Sequence, residues 1–215
     1  MLKTKIKAAA ITNLTDARYF AAREVEWLGF DFAAGSDSYI SPEQMLAIKE
    51  WVDGVKLLGE FSLEPPEYIR AAVAELGLDA VQLSMAAPET HVRELAPEVA
   101  VIRELTPDYY FTDEELRDHF EAVPPGVSYI LLDLAKNGFT WADLCSGKPL
   151  SLVVIRQMCH IYPVLLALNF QAGEINDILS ELPVKGLQLR GGEEEKTGVK
   201  SFDELDEILD LLEED

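Results

Sequence analysis

The side chains able to do acid–base or anion chemistry fall where short apolar runs end. Asp133 closes the run Leu131-Leu132, Asp31 lies near the end of 27–32, Glu60 near the end of 55–61, Arg103-Glu104 after 99–102 and Arg190 after 185–189. If these runs are strands of one parallel sheet, the charged groups gather at its C-terminal edge, where barrel enzymes keep their chemistry. Such a ring of charge is either a pocket for a small polar ligand or a network of internal salt bridges filling an empty mouth. A strand-end aspartate such as Asp133 suits a general acid. The competing reading makes it a structural carboxylate paired with Arg190 or Arg103. The first run ends differently, in Ala8-Ala9-Ala10, and alanine offers no chemistry.

Other constellations are missing. His91, His119 and His160 are far apart, and Cys145 and Cys159 have neither zinc nor redox-motif spacing, so neither metal nor cofactor is expected. No GxSxG elbow or GxxxxGK[ST] loop occurs. The formal charge of −21 opposes binding to nucleic acid and reads as a solvated surface. No run approaches the ~18 apolar residues of a membrane span. The N-terminal residues lack the apolar stretch of a signal peptide, and two cysteines make no disulfide scaffold, so a cytoplasmic setting is expected.

The elements that must position these groups alternate along the chain. Strand-like runs at 5–11, 27–32, 55–61, 80–83, 99–102, 128–132, 164–168 and 185–189 are separated by helix-like stretches. Ser41-Pro42-Glu43-Gln44 and Thr112-Asp113-Glu114-Glu115 read as capping boxes, and Ser201-Phe202-Asp203-Glu204 as the cap of a last helix whose buried face is Phe202, Leu205, Ile208, Leu209 and Leu212. Eight βα units in 215 residues predict an α/β fold, a single lean (β/α)8 TIM barrel over 1–215. A doubly wound open sheet is the runner-up, weakened because no Gly-rich fingerprint follows the first strand.

The order and spacing of several stretches resemble the phosphoribosylanthranilate isomerase family. These are Ile11-Thr12-Asn13-Leu14-Thr15-Asp16-Ala17, Leu28-Gly29-Phe30 with Tyr39-Ile40-Ser41-Pro42-Glu43, Leu76 to Leu83, Leu131-Leu132-Asp133, Phe139-Thr140-Trp141 and Gly198-Val199-Lys200. The resemblance implies a (β/α)8 barrel catalysing an Amadori rearrangement of an aminoaldose, with Asp133 as the general acid. The family's first strand ends in a Lys-Ile-Cys-Gly-Ile-Thr pattern whose cysteine is the base, and alignment on Ile11-Thr12 puts Ala9 there. Lys7, one inward step earlier, is either a substitute or a buried lysine held in a salt bridge. Ser38, beside Asp37, stands where the family places a carboxylate-binding arginine, and Ser84-Met85 where His-Gly commonly follows Val-Gln-Leu. Lys7, Gln82, Ser84 and Arg103 are thus the candidate substrate-pocket residues.

Phosphate binding in the family relies on glycine-rich turns after strands seven and eight. The first reads here as Ala167-Leu168-Asn169-Phe170, without glycine; the second as Arg190-Gly191-Gly192, followed by the acidic run Glu193-Glu194-Glu195. Any phosphate or other small anion is expected at Arg190, Gly191 and Gly192, where backbone N–H groups can approach it. A monomer or homodimer with degraded or altered isomerase activity is the expectation; a non-catalytic scaffold for an anionic ligand or protein partner is the alternative.

Overall fold

The computed structural model describes residues 2–191, 194–196 and 199–213. Eight parallel strands close into a barrel in sequence order: β1 (Lys5–Ala9), β2 (Trp27–Asp31), β3 (Lys56–Phe61), β4 (Ala80–Leu83), β5 (Ala100–Leu105), β6 (Val127–Asp133), β7 (Val164–Ala167) and β8 (Gly186–Arg190), with β8 pairing back onto β1. The open-sheet alternative is therefore overturned, since a closed sheet leaves no free edge. Between and after them lie α1 (Leu14–Ala22), α2 (Pro42–Lys49), α3 (Pro66–Leu76), α4 (Glu89–Leu95), α5 (Asp113–Glu121), α6 (Trp141–Ser146), α7 (Leu152–Ile161), α8 (Ile175–Glu181) and α9 (Asp203–Leu212).

The strands are apolar on both faces because both are covered. Trp27, Leu58, Ala80, Ile102, Leu131, Leu165 and Ala167 fill the barrel interior, while Ile6, Leu28, Val81, Val101, Leu132 and their neighbours pack outward against the helices. Side chains alternate along a strand, so these two sets define which residues face the axis. On that count Lys7, Ala9, Asp31, Glu60, Gln82, Glu104, Asp133, Gln188 and Arg190 point inward.

The capping boxes at Ser41 and Thr112 form, and a third forms at Thr140 with Asp143. The last helix differs from expectation. Phe202 occupies its cap position with no side-chain bond, and the Ser201 hydroxyl accepts from the Asp203 N–H instead. The acidic stretch after β8 contains a short strand β9 (Glu194–Lys196) pairing antiparallel with β10 (Val199–Lys200).

Candidate active site at the barrel mouth

Lys7 is the centre of the inward-facing polar groups. It is fully buried, and removing an ammonium from water costs several kcal/mol unless partners replace the solvent. Two do so: its Nζ donates to Glu60 Oε1 at 2.7 Å and to Gln188 Oε1 at 2.6 Å. Gln188 then donates through Nε2 to Asp133 Oδ2 at 3.1 Å, and the Lys136 backbone N–H donates to Asp133 Oδ1 at 3.0 Å. An ammonium on one side and a carboxylate on the other fix which way the Gln188 amide points. The result is a continuous chain, Glu60–Lys7–Gln188–Asp133, running across β3, β1, β8 and β6. Glu60 reaches Lys7 over Gly29 of β2: a Cβ on Gly29 would lie 2.3 Å from Glu60 Oε1. Glycine is needed there for the approach of that carboxylate.

A second pair sits beside the first. Glu104, 4% exposed, receives the ammonium of Lys136, whose three-residue turn Ala135–Asn137 bends over the mouth after β6. Burial pushes the Glu104 carboxyl above its usual range; the Lys136 charge and hydrogen bond pull the other way, while the negative charges of Asp133 and Glu60 push upward. For Glu60, burial also pushes upward, but the charge and hydrogen bond of Lys7, helped by Lys136 and Arg190, prevail and hold the carboxyl below its usual value. Lys136 is raised: burial opposes its charge, and Glu104, Asp133 and Glu60 together outweigh that.

β1 ends without a titratable group. Ala9 is 2% exposed and faces the axis one step above Lys7. Ala10 follows in a left-handed conformation, φ +56°, which costs a side-chain-bearing residue about 1–2 kcal/mol. The Lys-Ile-Cys-Gly-Ile-Thr pattern of the resemblance has glycine at the place of Ala10, and a positive φ is a conformation that glycine adopts without strain.

The remaining candidates are placed as follows. Gln82 is buried inside the barrel, its Oε1 without a hydrogen-bond partner among the described residues. Ser84 lies just past β4, its hydroxyl donating to the Ser62 carbonyl at 3.4 Å. Arg103 is not part of the mouth cluster. β5 runs on to Leu105, so Arg103 and Glu104 take opposite faces, and the Arg103 guanidinium turns outward to the carbonyls of Met85 and Ala87 at 2.9 and 2.8 Å. The expected pairing of Asp133 with Arg103 or Arg190 is likewise corrected: its partners are Gln188 and the Lys136 amide. Arg190 is exposed and forms no ion pair among the described residues. Asp31 braces its own loop, accepting from the Ala33 N–H and the Ser36 hydroxyl. Gln188 and Lys136 were not picked out as site groups in the sequence. Gln188 shares the inward face of β8 with Arg190, and that alternation is the signal that could have found it.

A cavity of about 530 Å³ opens between the ends of β7 and β8 and α9. Leu168 and Phe170 line it where the resemblance expects a bare glycine turn, and Gln188, Arg190, Gly191 and Glu204 supply its polar wall. Gly191 is tightly placed, since a Cβ there would lie 2.6 Å from Asp16 Oδ2. Gly192, the third residue of the expected anion site, lies outside the described residues, as does Glu193. Among the described residues no group of three or more His, Cys, Asp or Glu could hold a metal ion, and no helix is long and apolar enough to cross a membrane.

The closed ring of eight parallel strands alternating with helices makes this chain a (β/α)8 barrel, with Asp133 at the C-terminal end of its sixth strand. The family model for N-(5'-phosphoribosyl)anthranilate (PRA) isomerase matches residues 6–210, and the chain belongs to that family. It is 27% identical over 220 positions to the N-(5'-phosphoribosyl)anthranilate isomerase of Microcystis aeruginosa, covering 97% of each chain. The Thermotoga maritima isomerase is 35% identical over 100 residues, 46% of this chain and 49% of that one. The crystal structure of phosphoribosyl anthranilate isomerase from Thermus thermophilus superposes with a TM-score of 0.75 at 26% identity, covering 96% of both chains.

Proposed function

We propose that this chain is a phosphoribosylanthranilate isomerase-type protein of tryptophan biosynthesis whose isomerase activity is degraded or altered. The relatives are named as isomerases of N-(5'-phosphoribosyl)anthranilate, and the resemblance implies an Amadori rearrangement of an aminoaldose. An acid protonates the ring oxygen so that the ribose opens, and a base then removes the C2 proton. Asp133 is the candidate for the first step. The observation that carries the reading is Ala9, buried at the end of β1 and followed by a left-handed Ala10, where the second step needs a proton acceptor. Lys7 does not supply it: its ammonium already donates to two oxygens one layer deeper. Removing a general base costs about 10²–10⁴-fold in rate. Ser38, which replaces the carboxylate-binding arginine, removes orientation as well.

A second reading, a non-catalytic scaffold for a small anionic ligand or a protein partner, is favoured by the mouth itself, where internal ion pairs take up charges that would otherwise face a substrate. The test is rescue of an isomerase-deficient tryptophan auxotroph. No growth from the wild-type gene is expected. Growth equal to that given by an ordinary isomerase gene would sink the proposal.

A further inference from the structure

The opposite, N-terminal end of the barrel holds a cavity of about 620 Å³ that the family's reaction does not use. Ligand pockets commonly span about 300–1,000 Å³. Its floor is aromatic. The half-buried Tyr129 presents its ring there, meeting Trp27 edge to face with centroids 5.4 Å apart, while Trp27 is only 4% exposed and lies beneath the Lys5 ammonium, 5.5 Å from its ring centroid. Ala100, Pro163 and the Tyr129 ring make its apolar side.

The rim is basic on a chain whose net charge is −21. Lys5, Lys56 and Lys185 line it with only Glu26 and Asp79 opposing them, which leaves one surplus positive charge. The five groups are not equally engaged. Glu26 binds both Lys5, at 3.0 Å, and Lys56, at 2.6 Å, and Asp79 accepts the Leu57 backbone N–H at 2.8 Å. Lys185 is exposed and forms no ion pair among the described residues. An aromatic slot beside one uncommitted ammonium fits a flat apolar ring bearing a single negative charge. A phosphate dianion suits it less, having neither a ring for the slot nor a second free cation.

We propose that this cavity binds a small aromatic carboxylate, the ring lying against the half-buried Tyr129 and Pro163 and the carboxylate meeting Lys185. Ring stacking and a charge-assisted hydrogen bond are the two interactions that would hold it.

The test is calorimetric titration of naphthalene-2-carboxylate into the full chain at low salt. Saturable one-to-one binding is expected, weakened at least about fivefold by Lys185→Ala, since that change removes the charge-assisted bond. The neutral naphthalene-2-carboxamide should bind wild type at least about fivefold more weakly for the same reason, and Arg190→Ala, at the other end of the barrel, should bind the carboxylate as wild type does. No saturable binding, equal affinity in Lys185→Ala, or loss of binding in Arg190→Ala would each overturn the proposal, the last by placing the ligand at the mouth. Inorganic phosphate bound as tightly as the carboxylate would also overturn it, by removing any role for the ring.

Discussion

Lys7 with Glu60 and Lys136 with Glu104 are two lysine–glutamate pairs on the same barrel mouth, yet their carboxylates shift in opposite directions, Glu60 downward and Glu104 upward. Both carboxylates are poorly exposed, so burial alone does not separate them. What differs is the cation. Lys7 sits on a strand with no exposure and a second hydrogen bond to Gln188, so its charge is fixed beside Glu60. Lys136 extends from a turn, its side chain 40% exposed, and part of its charge is screened by water. Glu104 also feels Asp133 and Glu60 as like charges, whereas Glu60 gains from Lys136 and Arg190. The comparison separates a pair that anchors the barrel from one that merely closes over it.

The largest break in that comparison is Glu60→Gln. It leaves a buried ammonium without a counter-charge, and a destabilisation of about 3–5 kcal/mol is expected from urea unfolding at pH 7. The loss should depend on pH with a definite sign. Because the folded carboxyl lies below its unfolded value, ordinarily about 4.3, the pair contributes fully above that value, and the contribution disappears as pH falls through the lower folded value. The wild-type and Glu60→Gln stabilities should therefore converge in acid. A gap that stayed constant to low pH would mean that packing, not charge, is what the substitution removes.

Lys7→Met combined with Glu60→Gln sharpens the same point. Replacing both charges removes the unpaired ammonium, and the double variant should recover most of the loss, within about 1–2 kcal/mol of wild type. A double variant as unstable as Glu60→Gln alone would show that Lys7 supports the fold through its stem or its Gln188 bond.

Glu104→Gln should act in the other direction. Its folded carboxyl lies above the unfolded value, so the ionised form is the one the fold disfavours. Stability should rise at neutral pH, and the gain should vanish as pH falls through the raised folded value toward the ordinary one. Lys136→Ala is the smallest change. With the ammonium 40% exposed, solvent screening keeps its contribution below about 1 kcal/mol, and the clearer readout is a further rise in the Glu104 titration, followed by carboxyl-carbon NMR.

The barrel was legible in the sequence because each strand is an apolar run between polar caps, and eight such runs close only a few ways. Its charged mouth was legible only as a set of strand-end residues. Arg103 and Glu104 read as equivalent until the length of β5 was known. That strand shifts register against β6 between Val101 and Ile102, and its extension to Leu105 sends one side chain inward and the other out. Gln188 escaped notice because a neutral amide inside Leu187-Gln188-Leu189 carries no charge to flag it, yet it links Lys7 to Asp133. That β1 ends in alanines was legible directly, whereas the left-handed conformation of Ala10 was not, because nothing in Ala8-Ala9-Ala10 marks one alanine for a positive φ.

The central claim is that the end of β1 has lost its proton acceptor, and steady-state kinetics of the purified protein with phosphoribosylanthranilate test it most directly. kcat/KM should lie at least about 10²-fold below that of an ordinary isomerase measured alongside, as expected for a missing general base. Ala9→Cys, which restores a thiol at that position, should raise it. Wild-type turnover equal to the ordinary enzyme's, abolished by Asp133→Asn and indifferent to Ala9→Cys, would contradict the account and place the base elsewhere in the mouth.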